Sequence, residues 1–450
     1  MRSPHFAAEP MSPHEIVSDE LRAEVRRVID GQPIWDIHTH LYPPTFGTTL
    51  GGRSQPSDPK GLLLWGIDEL LTYHYLVAEV FRAVPSSKLP YETFWSMTKQ
   101  QQADHIWKNL FIERSPISEA CRGVLTTLQR LGLDPDDRAL DRYRKWFAEQ
   151  DVDAHIDQVM ELSGVRRITM TNAVFDDNER ERWLANPTIA SDSRFAGVLR
   201  FDPLLRDWPA AAAKLSEWGY QVSETFDAKT VEETRRFLRD WIDRLQAIYC
   251  AVSLPPSFQY LGADDHSNFA EALRQVVLPV LEERGLTMAL MIGSEIGVNP
   301  SLGDGGDTVG LSDVGSLARL CADFPNNRFL VTMLARENQH ELAVVARKFG
   351  NLMIFGCWWF LNTPTLVREI TRMRIELLGT TFIPQHSDAR VLEQLVYKWD
   401  HSRAAISDVL AEKYAEVEAT GWNVREEELR RDVDALFRGN AEALLGDRVK

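Results

Sequence analysis

Between residues 34 and 384 the chain repeats one pattern: a short apolar run, then a longer stretch whose apolar residues keep helical spacing. The runs are Ile34–His38, Arg167–Thr171, Phe195–Phe201, Tyr249–Leu254, Thr287–Ile292, Phe329–Leu334, Leu352–Phe355 and Thr381–Pro384. Between them lie helical stretches such as Val231–Leu245, Phe269–Glu283, Ser316–Cys321, Glu341–Phe349 and Pro364–Leu378. Alternation of this kind builds an α/β fold with parallel strands, and eight strand–helix units are the number that closes a TIM-type (β/α)8 barrel. An open doubly wound sheet is the rival. It calls for a Gly-rich phosphate turn after the first strand, and this chain has none there.

The same pass divides the chain. Residues 1–31 read as a loose leader to about Met11 and then a helix with Ser12 or Ser18 as its N-cap. Residues 32–61 carry strand one and a Gly/Pro/Ser-rich loop, Pro43 to Lys60. Residues 62–162 read as almost wholly helical, with Leu70, Leu71, Tyr75, Leu76, Val80 and Phe81 at helical spacing. An insertion of about a hundred residues is too long for a plain βα loop, so a subdomain covering one mouth of the barrel is predicted. Residues 163–400 complete the barrel, and residues 401–450 form C-terminal helices packed on it, with a break near Gly421.

With 450 residues the chain can bury a large core, and a formal charge of −16 argues against nucleic acid or an anionic membrane as partner. An anionic substrate therefore needs local cations. The four cysteines (Cys121, Cys250, Cys321, Cys357) are far apart, with no CxxC pair. A disulfide framework or zinc ribbon is disfavoured and a reducing cytoplasm fits best. No signal pattern opens the chain and no apolar run reaches membrane-spanning length. A barrel of this size is expected to form a homo-oligomer.

Catalytic groups on such a barrel gather at the carboxyl ends of its strands. Strand one ends in His38-Thr39-His40, whose two imidazoles share a strand face and can ligate a borderline divalent metal such as zinc. Strand eight ends in Gln385-His386-Ser387-Asp388-Ala389-Arg390. First and last strands are neighbours in a closed barrel, so Asp388 is predicted beside His38 and His40 as the third ligand; the other reading is an N-cap of the helix that follows, which does not exclude metal binding. Arg200, after strand three, and Arg390 are candidate carboxylate clamps or ordinary ion-pair members. Trp358-Trp359, after strand seven, suit a cavity wall or plain core. His74-Tyr75, on the insertion, reach the site only if that subdomain folds over the mouth. Strand five ends Leu290-Met291-Ile292-Gly293 and strand six Thr332-Met333-Leu334, so neither offers a ligand and a two-metal hydrolytic centre is disfavoured. The loop Gly303-Asp304-Gly305-Gly306-Asp307 reads as a rim loop.

These blocks together resemble the uronate isomerase family, an outlying branch of the amidohydrolase superfamily. The resemblance is carried by Asp36-Ile37-His38-Thr39-His40, Thr72-Tyr73-His74-Tyr75, Leu199-Arg200-Phe201-Asp202-Pro203, Phe355-Gly356-Cys357-Trp358-Trp359-Phe360 and His386-Ser387-Asp388-Ala389-Arg390, in this order over nearly the whole chain. It implies an amidohydrolase-type barrel that interconverts D-glucuronate with D-fructuronate and D-galacturonate with D-tagaturonate through a cis-enediol. His38, His40 and Asp388 would hold one divalent metal, with zinc the first choice. Tyr75 would be the proton-transferring base, its pKa lowered by Arg390, with Asp388 as the alternative shuttle. His74, Arg200 and Trp358 would bind the substrate. The rivals are a mononuclear metal-dependent amidohydrolase or lactonase and a non-catalytic sugar-acid binding protein.

Overall fold

The computed structural model describes residues 17–446 apart from residues 52, 55–60, 187–188 and 190. The leader and much of the loop after strand one lie outside the described residues. The first helix, Asp19–Gly31, is capped by Ser18, whose Oγ accepts from the Leu21 amide at 3.1 Å. Leu21, Val25, Val28 and Ile29 share one face of that helix and are buried in the main core.

The predicted barrel is present, with its staves less regular than their sequence pattern. Thr287–Ile292, wholly buried, is flanked by Cys250–Leu254 and Arg328–Met333, and Leu352–Ile354 lies beyond; all are parallel. Such continuous burial is the signature of a parallel sheet covered on both faces. Strand one is shorter than predicted: it is Ile34–Asp36, so His38 and His40 stand beyond the ladder rather than within it. The second stave is Val165–Thr169 followed by Asn172–Ala173, and the third is Phe195–Ala196 followed by Leu199–Arg200. Each was expected as one run. Both break where a side chain joins the ladder, since the Val198 amide bonds to Asn172 Oδ1 at 3.1 Å. At the break, Gly197 lies so close to the Leu245 carbonyl that a Cβ would sit 2.3 Å from its oxygen.

The eighth stave, Thr381–Pro384, is reduced to one parallel bridge between Phe355 and Ile383. The circle is closed by other means. The Asp388 amide donates to the His38 carbonyl at 3.1 Å and the His40 amide to the Ala389 carbonyl at 2.7 Å. The buried Asp36 carboxylate completes the seam: Oδ1 accepts from the Ser387 amide at 3.1 Å and Oδ2 from the Trp399 indole at 2.8 Å. Two main-chain bonds and one buried carboxylate thus hold the ends of the barrel together, and no strand periodicity announces the carboxylate's part.

The region after strand one is mainly helical, as predicted, but it also contributes Leu63–Trp65, which pairs in parallel with Thr48–Leu50. Helices Ile67–Leu71 and His74–Ala83 bring this region to the barrel mouth. A rim segment after strand five folds as a small hairpin, Ser294–Glu295 against Thr308–Val309, with a 3-10 turn at Pro300–Gly306. The helix Pro364–Leu378 has the predicted bounds. Gln394–Glu418 is one continuous helix, and Glu426–Asp434 follows after the break at Gly421. Among the described residues no helix is long and apolar enough to cross a membrane.

Candidate active site

The cavity at the carboxyl end of the strands is lined by His38, His40, Tyr73, His74, Arg200, Arg206, Ser253, Asp304, Trp358, Trp359, Asp388 and Arg390, among others. At its floor Asp388 Oδ1 lies 3.4 Å from His38 Nε2 and 3.4 Å from His40 Nε2. The side chain that accepts those two approaches hangs from a backbone at φ 53°, a left-handed conformation that Asp adopts more readily than bulky residues. The turn is held by the Ser387 hydroxyl, which accepts from the Ala389 amide at 3.1 Å.

The donor set fits a divalent ion. Ligands bound tetrahedrally at zinc-like bond lengths of about 2.0–2.1 Å stand about 3.3–3.4 Å apart, which is the spacing of Oδ1 from both imidazole nitrogens. Asp388 Oδ1 is buried and makes no hydrogen bond in the protein. A buried carboxylate oxygen left this way is costly unless a cation completes it. Thr171 fixes the tautomer of His38. Its hydroxyl proton goes to the Thr39 carbonyl at 2.7 Å, so Oγ1 is left to accept from Nδ1 at 3.3 Å. The lone pair of His38 then falls on Nε2, which faces Asp388. Among the described residues these three are the group of His, Cys, Asp or Glu close enough together to hold a metal.

Electrostatics agree with this use. Burial lowers His40 to a pKa of about 4, outweighing the opposing pull of Asp388, so its imidazole is neutral at pH 7. Burial alone raises Asp388, but the close approach and charge of His38 and His40 reverse it and hold the carboxyl well below its ordinary range. A neutral His40 imidazole beside an ionised carboxylate favours a divalent cation.

The cationic wall has its own partners. Arg200 donates from Nε to Asp202 Oδ2 at 2.5 Å and from Nη2 to Oδ1 at 3.1 Å, and Oδ1 also accepts from the Ser253 amide at 2.8 Å. Arg390 extends from the other side, half exposed, with Nη1 3.0 Å from Asp304 Oδ2 of the rim turn. Trp358 lines the cavity at 5% exposure. His74 lines the cavity and stands edge-on to Trp359, ring centroids 5.6 Å apart. Burial, with Lys398 nearby, lowers His74 to about 4.

Tyr75 departs from its expected surroundings. It does not line the cavity, where Tyr73 stands instead; the two rings meet edge-on with centroids 4.9 Å apart. The Tyr75 hydroxyl is buried without a hydrogen-bond partner, and burial followed by the charge of Tyr73 and Asp388 pushes its pKa well above 10. Arg390 was expected to lower that pKa, but its guanidinium pairs with Asp304, and Lys398 is the cation that faces the Tyr75 ring, at 5.7 Å. At neutral pH Tyr75 is therefore a phenol.

Sequence reasoning missed Tyr73, Arg206 and Asp304 as cavity residues. Arg206 ends the short helix Asp202–Arg206 that follows strand three, so its distance from the strand end disguised it. Tyr73 sits in the Tyr-His-Tyr run already singled out, one position before His74, where helix His74–Ala83 begins.

Comparison with protein-family models and with curated protein sequences returns no match. Comparison with solved structures does. A uronate isomerase from Bacillus halodurans C-125 shares 48% identity with this chain, covering 98% of it and 99% of the relative, with a TM-score of 0.88. A uronate isomerase from Thermotoga maritima and a glucuronate isomerase from Caulobacter crescentus each share the fold at a TM-score of 0.72 and 15% identity. They cover 97% and 98% of this chain, and 100% and 99% of their own. A match near half identity across both full lengths leaves no room for a different family: the chain belongs to the uronate isomerases.

Proposed function

We propose that this protein catalyses reversible aldose–ketose isomerisation of hexuronates, D-glucuronate to D-fructuronate and D-galacturonate to D-tagaturonate. The observation that carries this reading is the full-length identity to a uronate isomerase, on a chain whose His38, His40 and Asp388 converge under a wall of arginines. His38, His40 and Asp388 would hold one divalent metal, with zinc the first choice on ligand chemistry. That ion, when bound, supplies positive charge next to the carbonyl and hydroxyl oxygens of the open-chain sugar.

The remaining chemistry falls to the side chains. Arg390 and Arg200 are assigned to the substrate carboxylate, and His74, neutral at pH 7, to its hydroxyls. Trp358 keeps bulk water from the reacting carbons. Isomerisation removes the proton on C2, places a proton on C1 and moves the O2 hydroxyl proton to O1, so the sum is neutral. Asp388, ionised at pH 7, is the acceptor matched to hydroxyl protons. The C2 proton must leave before C1 can take one, so Tyr75, a phenol at pH 7, serves the carbon only after losing its own proton to solvent: as phenolate it takes the C2 proton and returns it to C1 of the enediol. The mononuclear hydrolase reading is weaker, because Ser253 and Met291 stand at the cavity ends of strands four and five where hydrolase ligands would be needed.

The test is direct. Purified protein is incubated with D-glucuronate and D-galacturonate, with and without a chelator, and products are identified by NMR. Keto-uronate that disappears on chelation supports the reading. Absence of keto-uronate, with turnover of a lactone or dihydropyrimidine, would replace it with the hydrolase.

A further inference from the structure

Lys398 is 3% exposed, on the long helix Gln394–Glu418 directly behind the Asp388 turn. Its Nζ donates to the Ser387 carbonyl at 2.7 Å and to the Asp388 carbonyl at 3.4 Å. It also faces the Tyr75 ring at 5.7 Å. An ammonium is seldom buried unless a carboxylate pairs with it. Here the acceptors are two main-chain carbonyls, both in the turn that carries Asp388 at φ 53°.

That arrangement suits a task that an uncharged residue would do poorly. Without support, a left-handed non-glycine residue relaxes towards ordinary backbone, and the relaxation would swing the carboxylate away from His38 and His40. The two carbonyls that Lys398 gathers flank the bond whose rotation does this. The neighbouring residue of the same helix, Trp399, grips Asp36 from the opposite side of the seam. One helix thus pins both sides of the barrel closure at the metal ligands.

We propose that Lys398 is a positioning residue: it fixes the Ser387–Asp388 backbone so that Asp388 Oδ1 stays at bonding distance from an ion shared with His38 and His40, and it seats the Tyr75 ring above it. This rests on the isomerase reading for its catalytic consequence, though not for its effect on metal binding.

The test uses Lys398→Met, which keeps the length and removes the donor, and Lys398→Gln, which restores a neutral donor. Circular dichroism checks the fold. Metal affinity is measured by chelator competition, the Co²⁺-loaded protein by its visible d–d spectrum, and turnover as kcat and KM on D-glucuronate. Supporting groups around a metal site typically carry 10- to 100-fold in affinity or activity, so Lys398→Met is expected to lose about that in metal affinity and kcat, with KM within roughly twofold. The d–d bands should shift, and Lys398→Gln should recover part of each loss. Should Lys398→Met fail to fold, Lys398→Gln against wild type carries the same comparison. A folded variant with wild-type metal affinity and an unshifted cobalt spectrum overturns the proposal. A shifted spectrum in a protein whose wild type makes no keto-uronate would support Lys398 and defeat the isomerase reading instead.

Discussion

Arg390 and Asp304 meet across the mouth of the cavity, Nη1 to Oδ2 at 3.0 Å, joining the last stave of the barrel to the rim turn after strand five. Both side chains are more than half exposed, at 52% and 70%, so the pair adds little to stability. Its significance is occupancy: Asp304 holds the guanidinium that is assigned to a substrate carboxylate.

Removing that competitor should therefore help binding. Asp304→Asn is expected to leave the melting temperature unchanged and to lower KM for a uronate several-fold, with kcat little altered. The opposite substitution, Arg390→Met, should raise KM by roughly 10- to 100-fold, the loss of a charge-assisted hydrogen-bond pair. Steady-state kinetics on both variants decides this. A raised KM in Asp304→Asn would assign Asp304 to the substrate rather than to competition with it.

Stability of the metal-free protein should fall in acid. His40 and His74 are each lowered to about 4 from 6.5, so between those values the unfolded chain binds protons that the folded one refuses. Unfolding free energy then rises with pH across that interval, by at most roughly 3 kcal/mol per imidazole at full titration and by less for His40, whose side chain is 32% exposed. Asp388 acts further down: its depressed pKa gives stability that is present above the unfolded carboxyl value and lost as pH falls through the folded one. Denaturant titrations from pH 7 to pH 4 should show the steady decline. A flat profile would mean that the two imidazoles are not desolvated as described.

The seam makes a separate demand on Asp36. Asp36→Leu would strand the Ser387 amide and the Trp399 indole N–H in the core, a change expected to cost about 2–4 kcal/mol. Because the same bonds fix the turn before Asp388, metal affinity should fall too. Equilibrium unfolding with and without added metal measures both. Loss of stability without loss of metal affinity would separate the seam from the site.

Gly356 is a packing requirement. Its φ is 66°, and a Cβ there would come within 1.9 Å of His386 Cδ2. Gly356→Ala is expected to destabilise the fold by about 1–3 kcal/mol, from backbone strain and overpacking combined, as read by thermal melting. A melting temperature equal to wild type would show that the His386 ring yields freely.

Much of this was legible in the residues because parallel strands buried on both faces read as continuous apolar runs. Thr287–Ile292 and Pro364–Leu378 have the bounds that periodicity assigns them. The union of His38, His40 and Asp388 followed from topology alone, since first and last staves must meet. What escaped was held by side chains. Strand eight has a single bridge because Asp36, Trp399 and Ser387 do the work of a ladder. Tyr73 displaced Tyr75 at the cavity surface because a helix start, not a strand face, sets their directions. The pairing of Arg390 with Asp304 spans 86 residues of sequence and leaves no local pattern.

Metal content and turnover measured on the same preparations, wild type beside Asp388→Asn, put the site to its plainest trial. One divalent ion per chain and keto-uronate formation are expected in the wild type, with both falling together in the variant and in chelator-treated protein. Undiminished isomerisation in protein that has lost its ion would contradict the shared grip of His38, His40 and Asp388 on the chemistry.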